Sequence, residues 1–103
     1  MKLNELIELI ENLPDVNRVQ VPTEPTGFYR GTENVFSTEE NWKDKIIKMV
    51  TKVCNENDII KISFNCYYGR EPKAGEDYYI HLSNQGGIDT ANALSSGKWG
   101  KLD

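Results

Sequence analysis

Apolar and polar residues alternate from Ile59 to Tyr68 and again from Tyr78 to Ser83. In the first run Ile60, Ile62, Phe64, Cys66 and Tyr68 share one side, with Lys61, Ser63, Asn65 and Tyr67 opposite. In the second, Tyr78, Ile80 and Leu82 oppose Tyr79, His81 and Ser83. A period of two sends successive side chains to opposite faces, so the runs predict a β-hairpin with one core face and one polar face. The connection Gly69–Asp77 is too long for a tight two-residue turn and is expected to project as a mobile flap.

Upstream the period changes. Leu3, Leu6, Ile7, Ile10 and Leu13, widened by Leu9, form one stripe of an amphipathic helix over Lys2–Leu13, which Pro14 stops. Val19 and Val21 alternate with Arg18 and Gln20, which predicts a short strand over Val16–Val21. Pro22 bounds it and favours an edge position. Residues 22–36 have no clear period and predict a long loop carrying Phe28, Tyr29 and Arg30; a small extra hairpin, Phe28–Arg30 against Val35–Phe36, is the alternative. Ser37-Thr38-Glu39-Glu40 fits a capping box ahead of a second helix, whose apolar face is Trp42, Ile46, Met49, Val50 and Val53. Glu39–Lys43 and Asp44–Lys48 have the spacing of pairs on its wet side.

The expected fold is therefore α+β in the order α-β-α-β-β. Two helices would cover one face of a small, mostly antiparallel three-stranded sheet. Residues 1–83 form a single domain. Residues 84–103, rich in glycine and serine around Trp99, read as a flexible tail that docks its tryptophan on the domain or on a partner.

Length and charge narrow the function classes. A chain of 103 residues supports one modest core. No apolar run approaches the roughly 18–20 residues of a membrane span, and acidic residues break up the N-terminal run, so a cytoplasmic protein without a signal peptide is expected. A net charge of −4 disfavours nucleic acid as partner, since phosphate neutralisation needs clustered Lys and Arg. Lysine outnumbers arginine nine to three and Asn and Ile are frequent, a usage that suits AT-rich genomes such as those of many phages and mobile elements. Cys54 and Cys66 read as buried thiols, and with one histidine they offer no zinc spacing; no metal or cofactor is expected.

His81 is the natural acid–base candidate, because imidazole titrates near neutrality, yet no nucleophile motif accompanies it. Gly69–Gly75 and Ser96-Gly97-Lys98 lack the strand and helix context of a phosphate loop. Surface chemistry remains. Tyr67, Tyr79 and His81 on the polar sheet face, Phe28, Tyr29 and Arg30 in the loop, and Trp99 in the tail include the residue types that anchor protein interfaces. The expectation is a non-enzymatic protein-binding protein, such as an inhibitor, immunity protein or adaptor. A nucleotide- or anion-binding module is the alternative, an enzyme using His81 a third. The polar face and an edge strand would also suit a homodimer. All of this holds only if the loop or the tail does not fold over the polar face.

Overall fold

The computed structural model describes residues 1–25, 31–66 and 72–84, with 65 and 66 as backbone alone. The order is α1 (Leu3–Glu11), β1 (Arg18–Pro22), β2 (Thr32–Phe36), α2 (Trp42–Glu56), β3 (Lys61–Cys66) and β4 (Asp77–Ser83). The class is α+β, as the periodicity predicts, but the sheet is four-stranded and mixed, in the order β2-β1-β4-β3. β1–β2 and β3–β4 are antiparallel and β1–β4 is parallel.

Two expectations about strands are corrected. The first concerns β1, which is central rather than an edge. Its parallel ladder to β4 runs from Arg18 to Gln20 and stops before Pro22, so the missing proline N–H costs no bond there. The second concerns β2, which lies inside the stretch read as a loop and pairs with β1; the alternative hairpin involves residues 28–30, which lie outside the described residues. The chain enters β2 through Gly31, at φ 60°, where an added Cβ would come within 2.9 Å of the Glu24 carboxylate.

The helices match their stripes. Leu6, Leu9 and Ile10 of α1 and Trp42, Ile46, Val50 and Val53 of α2 are buried. They form one core with Val19, Val21, Val35, Ile62, Phe64, Tyr78, Ile80 and Leu82, the inward residues of the four strands. Phe64 and Tyr78 stack with ring centroids 5.5 Å apart. At the first turn of α1 the Glu5 carboxylate accepts the Lys2 backbone N–H at 3.1 Å.

α2 begins at Trp42, later than the Ser37 signal suggests. Ser37 gives its N–H to the Asn17 carbonyl (3.3 Å), which extends the β1–β2 ladder, so the chain must turn before it can wind. Asn41 makes that turn in the left-handed region at φ 55°, which asparagine tolerates better than most residues. Glu39 is therefore outside the helix, and it pairs with Lys45 rather than Lys43 (2.9 Å). Lys43 instead donates to the Glu11 carbonyl at 3.1 Å and lies over the Trp42 ring. At the other end Asn57 Nδ2 closes the helix onto the Val53 carbonyl (3.0 Å).

Ile60 departs from the core pattern. β3 starts one residue later, at Lys61, and Ile60 is 61% exposed. The expected flap is also tied down over its described part. Gly75 donates to the Asp15 carbonyl (3.0 Å), and Asn17 donates to that of Glu76 (2.9 Å). The Tyr78 hydroxyl accepts the Lys73 N–H at 2.7 Å and donates to Glu76 at 3.2 Å. Among the described residues no helix is long and apolar enough to cross a membrane.

Candidate functional site

Both helices pack on the valine and isoleucine side of the sheet. Register then assigns the opposite side row by row, because paired residues point the same way. Phe36, Arg18 and Asp77 make one row; Asn34, Gln20 and Tyr79 make the next. Further along lie Thr32 with Pro22, then His81 with Ser63. Ser83 with Lys61 completes the face.

The two ends of this face differ. His81 is 2% exposed, and Ser63 and Ser83 are fully buried. Pro22 is buried with them. The expectation that His81 lies on an open surface is corrected accordingly. Burial holds the imidazole below its ordinary pKa, because charging it would strip hydration, and the nearby Lys61 charge pushes it the same way. Burial and the Lys61 charge thus both favour the neutral imidazole here.

The other end is half-open. Phe36 is 40% exposed, and the Arg18 and Asp77 side chains are 39% and 34% exposed. Tyr79 is partly buried beside them. Arg18 Nε lies 3.4 Å from Asp77 Oδ1, and Asn17 Nδ2 donates to the same oxygen at 2.6 Å. Gln20 Nε2 donates to Thr32 Oγ1 (3.1 Å), linking β1 to β2 on this face. An ion pair this exposed contributes little stability, but it fixes the guanidinium in place. The result is a charge-balanced strip of one aromatic ring, one phenol and one arginine on a pleated floor.

Of the residues singled out from sequence, Tyr79 and His81 are neighbours on this face, two residues apart on β4, the first partly buried and the second closed off. Phe28, Tyr29, Arg30, Tyr67 and Trp99 lie outside the described residues. Arg18 and Phe36 are the additions. Alternation around Val19 and Val21 already turns Arg18 outward, but placing Phe36 beside it requires knowing that β2 exists.

A second opening lies at the far end of the molecule, between Met1, Leu3, Cys54, Ile59, Ile60 and Ile62. The Cys54 thiol there is free, and burial raises its pKa, which makes it a poor nucleophile. Among the described residues no three His, Cys, Asp or Glu side chains gather where they could share a metal ion.

Comparison of the chain with protein-family models, curated proteins and solved structures finds no match in any of the three.

Proposed function

We propose that this domain works by binding another protein through the half-open end of the second sheet face, with Phe36, Arg18 and Tyr79 as its principal contacts. The observation that carries the reading is the row Phe36–Arg18–Asp77 with Tyr79 alongside: aromatic and arginine side chains, partly exposed, on a sheet surface that neither helix uses. Residues of these types bury large areas while keeping a polar handle, and they dominate the energetics of protein interfaces. Cross-strand rows of partly exposed side chains on a pleated sheet present the broad kind of surface that a protein partner covers. His81 has no part in this reading, and the role is non-enzymatic. A small acidic inhibitor, immunity protein or adaptor of a phage or mobile element, acting in the cytoplasm, is the form that chain length and composition favour.

The test is recovery of a stoichiometric partner from the source cells with the full chain as bait. Phe36→Ala and Arg18→Glu should each lose that partner while leaving the melting temperature within a few degrees of the parent. Full retention by both variants rejects the site, and absence of any stoichiometric partner rejects the reading.

A further inference from the structure

β2 is an outer strand among the described strands of the sheet. Its ladder to β1 is bracketed by Ser37 N–H to the Asn17 carbonyl (3.3 Å) and Thr23 N–H to the Gly31 carbonyl (2.7 Å). Antiparallel ladders alternate hydrogen-bonded and non-bonded pairs. Val19–Val35 and Val21–Glu33 therefore carry the bonds, and the peptide groups of Thr32, Asn34 and Phe36 point away from β1. Such a row of donors and acceptors is a template for another strand.

Glu39 closes one end of that row. Its carboxylate accepts the Phe36 N–H at 2.8 Å, and its own N–H donates to the Phe36 carbonyl at 3.0 Å. Both outward groups of Phe36 are thereby occupied. Lys45 fixes the carboxylate from behind at 2.9 Å and reaches Glu33 at 3.0 Å, which places three charges along the strand's flank.

The strand itself does little to oppose pairing with its own copy. A two-fold axis through Asn34 would set Glu33 opposite the partner's Val35 and Phe36 opposite the partner's Thr32, so no like charges would stand directly opposite, the two Glu33 being diagonal neighbours about 7–8 Å apart. We propose that Glu39 guards this edge: by occupying the outward peptide groups of Phe36 it keeps β2 from pairing antiparallel with β2 of a second copy of this chain.

The experiment is sedimentation velocity of the full chain over a concentration series. The parent should sediment as one copy. Glu39→Ala should move toward twice that mass as concentration rises. Adding Asn34→Pro to Glu39→Ala should restore the single copy, since proline removes an outward N–H that the new ladder needs and none that β1 uses. A folded Glu39→Ala chain that stays single overturns the proposal, as does association that Asn34→Pro leaves unchanged. Hydrogen exchange on the parent tests it without any variant. The Phe36 amide should exchange about tenfold or more slowly than that of Asn34, and equal rates overturn the proposal.

Discussion

Ser63 and His81 stand directly opposite each other on β3 and β4, both closed off from solvent on the side of the sheet away from the helices. A neutral imidazole is what this position favours, and that makes stability depend on pH. His81 titrates below its ordinary value of 6.5 in the folded chain, first because it is buried and second because of Lys61. The unfolded chain therefore binds more protons than the folded one once pH falls below about 6.5. The contribution of a neutral His81 is fully present above that pH. It declines as pH drops toward the folded pKa and levels off below it. Urea unfolding between pH 5 and 8 should show the decline in the parent, and His81→Gln should flatten it. A parent profile that is flat over this window contradicts the burial of His81.

The serine on the other side of that pair predicts an effect of opposite sign. Ser63 Oγ is buried and accepts or donates no hydrogen bond among the described residues. An unsatisfied buried hydroxyl carries a desolvation penalty of about 1–3 kcal/mol. Ser63→Ala removes the hydroxyl and little volume, so the variant should be as stable as the parent or more stable by about 1 kcal/mol. Loss of more than that on urea denaturation would show that the hydroxyl has a partner.

Ser63 also shows where periodicity stops being informative. Alternation places it correctly on the face opposite Ile62 and Phe64, because the period of two is a property of the strand alone. Whether that face meets water depends on segments elsewhere in the chain, and alternation is silent about those. The same reasoning accounts for the strands. β1, β3 and β4 each carry at least two inward apolar residues and so announce themselves. β2 turns only Val35 inward and follows it at once with the outward Phe36, so its two apolar residues are adjacent and define no period of two. Because β2 was illegible, β1 looked like an edge and Phe36 looked like loop. The second-helix signal failed for a related reason. Ser37 extends the β1–β2 ladder, the chain turns back with Glu39 N–H on the Phe36 carbonyl, and left-handed Asn41 precedes the first helical residue, a sequence of turns that the capping pattern does not encode. Tyr79, by contrast, was legible as a surface residue, while its neighbours Arg18 and Phe36 became visible only through cross-strand register.

Tyr78 contributes to stability through its ring and its hydroxyl separately. The ring stacks on Phe64 in the core, while the hydroxyl reaches the loop that precedes β4, accepting from the Lys73 backbone and donating to Glu76. Tyr78→Phe keeps the stack and removes the hydroxyl's bonds. The expected cost is about 1–2 kcal/mol by urea denaturation, since the Lys73 N–H loses its acceptor. The Lys73 amide should also exchange faster in the variant, with the core amides of β4 little changed. Uniformly faster exchange would mean that the hydroxyl supports the whole sheet and not the loop alone.

Ile60 and Ile80 separate the sequence pattern from the packing that results. Both fall on the apolar side of their alternation, yet Ile80 is fully buried on a central strand and Ile60 is 61% exposed ahead of a strand that is outermost among those described. Truncating a buried isoleucine removes its transfer free energy and leaves a cavity that the sheet and helices only partly fill, at a cost of about 2–5 kcal/mol. Against a typical total of about 5–15 kcal/mol, that is enough to make Ile80→Ala marginal. Truncating an exposed one changes little, within about 0.5 kcal/mol. Paired urea titrations of Ile60→Ala and Ile80→Ala should therefore differ by at least about 1.5 kcal/mol, in that order. Comparable losses would mean that Ile60 is covered in solution, either by another part of the chain or by a second molecule. Repeating the Ile60→Ala titration at several protein concentrations separates those two cases, because only the second depends on concentration.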